Sequence, residues 1–397
     1  MDGPLEENKM RIVHICLACF YVEGWGYQEN ILPKAHSKQG NDVYVLTSDY
    51  MFNNRNEGST KTEREYTNQF GVHVKVLERA TRYGYYSRFN DFKNVYNELA
   101  AIQPDIIFVH GGQFVALKDV VLYCKKHRQV KLFIDQHGDY YNMSVASLKS
   151  RIIQRVIYGH WIRKAAKYAD KLWGVTPWRC RYLNDVYGVP KDKIDLLTMG
   201  GDDEFIRFEE ADEVRASVCK EHGIGDGDFL IVTGGKVDRP KNIQLLMQAV
   251  KELNDPKIKL IVFGQPNADM ESEINELSKH PSIRAIGWID SAKAYDYFIA
   301  ADLAVFPGTH SVLWEQACAC GVPALFKDWE GMHHVCVNGN SEFLYEDSVE
   351  ELKTKIKELT ENSEKYAAMK KAAKECKRDF FYSEIAKRAI GESHYVG

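Results

Sequence analysis

The chain has 397 residues, 45% of them hydrophobic and 27% charged, with a formal net charge of −4, which leaves room for two or three ordinary globular domains of roughly 100 to 200 residues each. That charge exerts no general pull toward nucleic acid, so any contact with a polyanion or a membrane has to be local. No apolar run approaches the roughly 20 residues that cross a bilayer and no signal-peptide pattern opens the chain, so a cytoplasmic location is expected.

The first nine residues, MDGPLEENK, are polar and expected to be disordered. RIVHIC, Arg11 to Cys16, reads as a buried strand, and the loop CFYVEGWGYQEN, carrying Gly24 and Gly26, leads into a helix through Ala35. DVYVLTS, GVHVKVLE, DIIFVH, VKLFIDQ and KLWGVT then recur with helices or loops between several of them. Short apolar runs alternating with helices predict a mostly parallel sheet covered on both faces. IDLLTMGGDDEF, near residue 200, closes this half with a glycine pair and acids, a natural boundary.

From Phe229 the pattern restarts as FLIVTGG, IKLIVFG, IRAIGWI, LAVFP and PALFK. The class is therefore α/β, with two doubly wound Rossmann-like domains that would face a cleft. Ligands in such sheets bind beyond the carboxyl ends of the strands, where this chain carries its glycines. The tail from Ser348 is charged and helical, and DFFYSEIAKRAI has aromatics suited to docking back on the first domain. The expected division is 1–200, 201–377 and a returning segment 378–397.

Two stretches of the second half carry the chemistry. In FPGTHSVLWEQACACGVPALF, Phe306 to Phe326, a strand ends at Pro307 and Gly308, and a helix opens near Thr309 or Ser311 and stops at Gly321. Its free amides and dipole suit a phosphate, and Glu315, one turn in, would meet sugar hydroxyls beside it. Upstream, IVTGGKVDRPKN places Lys236 and Lys241 around a turn after a strand, and two lysines with a helix end hold a diphosphate without metal. Taken alone, each has a plain alternative, a solvated glutamate or a solvated basic loop.

Nine scattered cysteines, an odd number, fit a reducing compartment better than a disulfide framework. Cys16 and Cys19 have CxxC spacing, but no second pair with metal-ligand spacing follows. His333 and His334 read as loop histidines rather than ligands. No metal site is predicted. Between Val145 and Lys171 lie Lys149, Arg151, Arg155, Arg163, Lys164 and Lys167, interleaved with Ile152, Ile153, Val156, Ile157, Trp161 and Ile162. The stretch reads either as a membrane-surface helix meeting a lipid-linked sugar or as a core face with solvated lysines outside.

Together these residues resemble the retaining nucleotide-sugar glycosyltransferases of family four, which have the GT-B fold, over most of the chain. The family's G-R-L-x-x-x-K pattern, whose two basic residues grip the donor diphosphate, is matched by Gly235, Lys236 and Lys241. Lysine in place of arginine keeps the charge and loses bidentate geometry. Gly264 and Gly287 look like the next two strand ends, the second implying that the base packs near Trp288 and Ile289. The E-x7-E motif departs most. Alignment on CGVP puts Gly308 and Gln316 at its two glutamates, whereas the charge favours Glu315 for the ribose, because a carboxylate accepts from two hydroxyls better than a carboxamide; His310 or a neighbouring backbone group would replace the missing first glutamate.

In the first domain the resemblance makes His137 the histidine beside the transferred sugar. His110 matches the preceding strand's histidine, and Gly24 and Gly26 belong to the first loop, against diphosphate or acceptor. Met199 to Asp202 resemble the family's hinge entry. The activity implied is retaining transfer of a sugar from a nucleoside diphosphate sugar, UDP favoured, to a glycan or lipid-linked glycan. Lys236, Lys241 and the amides of His310, Ser311, Val312 and Leu313 would stabilise the leaving diphosphate. The nucleotide sugar is a co-substrate, and no other cofactor is expected. A sugar-nucleotide epimerase or hydrolase of the same fold, or a non-catalytic subunit, are the alternatives.

Overall fold

The computed structural model describes residues 9–19, 21–24, 26–52, 58–60, 63–80, 91–140, 148–329 and 331–392. The polar leader up to residue 8, Trp25 of the glycine loop and residues 145–147 of the basic stretch lie outside the described residues. The chain divides into two compact units, one holding Met1–Thr198 and the segment that begins at Ala386, the other Met199–Ile385.

In the first unit the strands are β1 (Arg11–Cys16), β2 (Asp42–Ser48), the pair β3 (Tyr50–Phe52) and β4 (Gly58–Thr60), β5 (Glu65–Thr67), β6 (His73–Leu77), β7 (Ile106–His110), β8 (Lys131–Gln136), β9 (Lys171–Gly174) and β10 (Ile194–Leu196). β3 and β4 form a separate antiparallel hairpin; the others make an eight-stranded sheet in the order β10-β9-β8-β7-β1-β2-β6-β5. All neighbours are parallel except β5 on β6. Strands in a doubly covered parallel sheet are apolar on both faces, and every residue of β7 is buried. Val13, Ile15, Val109, Ile134 and the inner face of helix Leu117–Lys126 share one core. Strand order reverses between β2 and β7, on either side of β1, so the loop after β1 opens at the switch point where such sheets bind ligands.

The second unit repeats the design with β11 (Phe229–Gly234), β12 (Ile258–Phe263), β13 (Ile283–Gly287), β14 (Leu303–Phe306), β15 (Ala324–Lys327) and β16 (Ser341–Leu344). They are parallel throughout, in the order β13-β12-β11-β14-β15-β16. The reversal falls between β11 and β14, the two strands that carry the lysine loop and the GTH loop. The charged tail is three helices, Val349–Glu361, Ser363–Cys376 and Tyr382–Ala389. Ser348 and Asn362 cap the first two by accepting from the amides of Glu351 and Lys365.

Some expected boundaries move. The first helix runs Gln28–Lys38, past Ala35. The helix expected from Thr309 or Ser311 to Gly321 is only Leu313–Ala319. Its early start is prevented because the Thr309 amide donates to Pro240 O at 2.9 Å and the carbonyls of Thr309 and His310 are held by Lys241, so those groups are engaged outside any helical ladder. Among the described residues no helix is long and apolar enough to cross a membrane.

Candidate functional site

In the second unit, backbone alone builds the lysine loop. β11 ends at Gly234 and the next residue, Gly235, has φ +108, while Gly264 after β12 has φ +123, conformations that only glycine adopts without strain. The Gly235 amide donates to Phe263 O at 3.0 Å and the Gly264 amide to Gly287 O at 2.6 Å. A β-carbon on Gly264 would overlap the Gly235 carbonyl, and one on Gly308 would overlap the backbone of Pro240 and Lys241. The turns after β11, β12 and β14 are thus in direct main-chain contact. Trp288, just past β13, is 70% exposed, and Ile289 is half-buried beside it.

The two lysines behave differently. Lys236 is exposed and pairs with Asp238 at 3.2 Å. Lys241 follows the turn Arg239–Lys241 and donates its ammonium to the carbonyls of Thr309 and His310 at 2.5 and 2.9 Å. Burial pushes its pKa down to about 8, Asp238 opposing and Lys236 reinforcing the shift. It is therefore a brace that shapes the GTH loop as well as a positive charge beneath it. Ser311, Val312 and Leu313 are half-buried in that loop.

Glu315 is completely buried. His310 Nε2 donates to it at 2.9 Å and His334 Nε2 at 2.8 Å, and both rings are themselves almost wholly enclosed. Burial alone would raise the carboxyl's pKa; the two imidazoles more than offset it and hold the group down to about 2. Gln316 is also buried. Trp314 packs under the loop, stacked on Phe326 at 4.7 Å and edge-on to His310 at 5.1 Å. His334, read from sequence as a loop residue, belongs to this cluster, while its neighbour His333 is the exposed one and pairs with Asp328. The only sequence signal was a pair of adjacent histidines in the connection after β15, which does not say which of the two turns inward.

In the first unit, β7 ends at His110 and β8 at Gln136, and the buried Asp135 sits between. It accepts from His110 Nδ1 at 2.9 Å and from the Gly111 amide at 3.0 Å, and lies 3.1 Å from His137 Nε2. Burial would raise its pKa, but His137 and His110 hold it well below the usual carboxylate range. His137 is the partly exposed member of the set. Gly24, with φ +81, and Gly26 precede the helix whose first residue, Gln28, reaches Asp135 at 3.4 Å, so the glycine loop is tied to this cluster. Asp135 was not singled out in sequence because it lies inside an apolar strand. Cys16 and Cys19 are both free thiols.

Each cluster, His110–Asp135–His137 and His310–Glu315–His334, brings three donor atoms within 4.8 Å of one another. In both, contacts from imidazole to carboxylate account for the closeness.

Residues 32–205 match the family described as Glycosyltransferase Family 4, and residues 215–376 the one described as Glycosyl transferases group 1. A curated relative, the D-inositol 3-phosphate glycosyltransferase of Pseudarthrobacter chlorophenolicus, is 24% identical over 169 residues; the match spans 40% of this chain and 39% of that one. Over the whole fold the chain is similar to a glycosyltransferase from Rickettsia africae, with TM-score 0.68, 14% identity and coverage of 97% of this chain and 100% of that one. It is also similar to Anabaena HepE in complex with UDP and glucose, with TM-score 0.63, 16% identity and coverage of 96% and 98%. The chain thus has two parallel-sheet α/β units with the GT-B fold of these structures, its first half matching the Glycosyltransferase Family 4 domain and its second the Glycosyl transferases group 1 domain.

Proposed function

We propose that the protein is a retaining glycosyltransferase that moves a sugar from a UDP-sugar to a lipid-linked glycan. The observation that carries this reading is the switch point of the second sheet, where the Gly235 turn, Lys236, Lys241 and the GTH loop converge on a main-chain junction. Bare backbone and two cations suit a diphosphate, and Trp288 offers an exposed face for the base. UDP is favoured because a relative of the same fold was captured with UDP and glucose.

In the step proposed, the bond from the anomeric carbon to the β-phosphate oxygen breaks as the acceptor hydroxyl attacks the same face. The departing diphosphate takes the acceptor's proton. Lys236 and Lys241 neutralise charge on the leaving group, the role a metal has in other transferases. Asp135 and Glu315 are buried and engaged by imidazoles, which favours this front-face route over attack by a carboxylate. His137 is assigned to the transferred sugar, Gly24 and Gly26 to the first loop, and the ribose to His310 or Gln316 beside Glu315, whose own carboxylate is enclosed by His310 and His334.

The lipid-linked acceptor is favoured by the basic stretch. Leu148, Ile152 and Val156, at helical spacing, are 73%, 50% and 60% exposed, and Lys149, Arg151 and Arg155 flank them on the same exposed segment. Ile153, Ile157 and Trp161 pack inward instead. An apolar stripe edged by cations suits an anionic lipid surface.

The test is a thermal-shift screen of nucleotide sugars followed by UDP release with lipid-linked acceptors. A UDP-sugar should stabilise the protein, and Lys241→Met should lower turnover by about 10²-fold, in the range for loss of one transition-state electrostatic contact. Stabilisation by no nucleotide sugar would sink the reading. Sedimentation with anionic but not neutral vesicles, lost in Ile152→Glu, tests the lipid surface.

A further inference from the structure

Behind Asp135 the first unit carries a line of buried histidines. His36 Nε2 lies 2.8 Å from Ala386 O, His36 Nδ1 3.0 Å from His14 Nε2, His14 Nδ1 3.0 Å from His110 Nε2, and His110 Nδ1 2.9 Å from Asp135 Oδ2. All three rings and the carboxylate are 0% exposed. Neighbouring rings are stacked, with centroids 5.1 and 5.2 Å apart.

The protons in this line can be counted. A backbone carbonyl only accepts, so His36 donates from Nε2. Asp135 also accepts from the Gly111 amide and faces Gln28 and His137, an environment that favours its ionised form, so His110 donates from Nδ1. The two inner contacts, each between two imidazole nitrogens, need one proton apiece. Four protons on three rings is one more than three neutral imidazoles hold. The surplus belongs next to the carboxylate, on His110.

We propose that His14 and His36 are positioning residues: with His110 they form an imidazole chain that stores one extra proton, and the resulting His110 cation keeps Asp135 a carboxylate aimed at His137. Electrostatics agree. Burial lowers the His110 pKa, but Asp135, with Cys16 and Glu29 also facing it, raises it to about 9. Burial holds His36 down to about 4, and His14 well below its ordinary value with His36 and His110 adding to the shift. The extra proton can pass from His110 to His14 to His36 by successive transfers, with no ring turning over. The chain ends on a carbonyl of the last helix, whose Ala389 carbonyl is likewise held, by Trp173 Nε1 at 3.1 Å.

Histidine-selective 15N NMR of the full chain reads the tautomers directly. At pH 7.5 one buried ring should be protonated on both nitrogens and stay so toward pH 9, and two should be neutral with the proton on Nε2; three neutral rings would overturn the proposal. His14→Gln keeps a donor and an acceptor in the line and should retain the doubly protonated His110, whereas His14→Phe should lose it.

The consequence for turnover rests on the glycosyltransferase reading. There, His14→Phe should cut kcat at least tenfold with KM within twofold, and His14→Gln should restore kcat to within about threefold of wild type. A folded His14→Phe protein with unchanged kcat would refute the positioning role. Absence of turnover in the wild type would instead refute the transferase reading and leave the NMR result to decide the proton count.

Discussion

Asp135 in the first unit and Glu315 in the second are solutions to the same problem, a carboxylate with no exposure kept ionised by two imidazoles. They differ in what stands behind. Glu315 is closed off, since His310 and His334 are themselves enclosed and both donate through Nε2. Asp135 is a link in a line, with a partly exposed His137 on one side and His110, His14 and His36 on the other. Pairing with the proposed His110 cation leaves Asp135 no net charge in the interior, whereas Glu315 rests on two enclosed rings with no line of imidazoles behind them among the described residues. Burial therefore costs the two sites different amounts, and perturbing them should give different results.

The largest difference should come from deleting each carboxylate. Asp135→Ala strands an imidazolium and should cost about 3–5 kcal/mol, the range for a broken buried pair. Glu315→Ala leaves two enclosed imidazole N–H groups without their acceptor and should cost about 1–3 kcal/mol, the range for buried donors left without an acceptor. Denaturant titration read unit by unit through hydrogen exchange separates the two, and equal losses would erase the distinction.

The pH dependence follows. A carboxyl held at about 2 in the fold and near 4.5 when unfolded stabilises fully above the unfolded value. That contribution is lost as pH falls through 4.5 toward 2 and amounts to roughly 3 kcal/mol. His110, raised to about 9, works in reverse. Its contribution is full below about 6.5 and disappears as pH rises toward 9, again by roughly 3 kcal/mol. Exchange-detected stability should thus fall on the alkaline side for the first unit and not through Glu315 for the second.

Lys241 should produce a smaller effect, on rate. With its pKa lowered to about 8 it is cationic below that pH, so UDP-sugar turnover should decline as pH rises through 8. Lys241→Arg should flatten the decline, because the guanidinium remains charged. The smallest contrast lies within one turn: His334→Ala should cost about 2 kcal/mol by removing a donor to buried Glu315, whereas His333→Ala, exposed and paired at the surface, should stay within about 0.5 kcal/mol.

The long apolar strands were legible because a doubly covered parallel sheet needs continuous hydrophobic runs. β10 and β16 were not, at three and four residues with partly exposed positions. The glycine turns and both lysines were readable in the second half because their spacing follows strand ends. The histidine line was not. His14 lies in an apolar strand, His36 in a helix and His110 some 70 residues on, and only the parallel stacking of β1 against β7 brings the first and last into contact. Glu315 was picked out by its charge, but sequence gave no sign that two imidazoles would already be bound to it.

The main-chain junction of Gly235, Gly264 and Gly308 has a consequence for inheritance. Since a single methyl on Gly264 would overlap one turn and one on Gly308 another, neither position can drift through intermediate residues, however mild. Lineages descending from this chain meet no such overlap at the exposed Trp288, while Gly264 and Gly308 stay frozen.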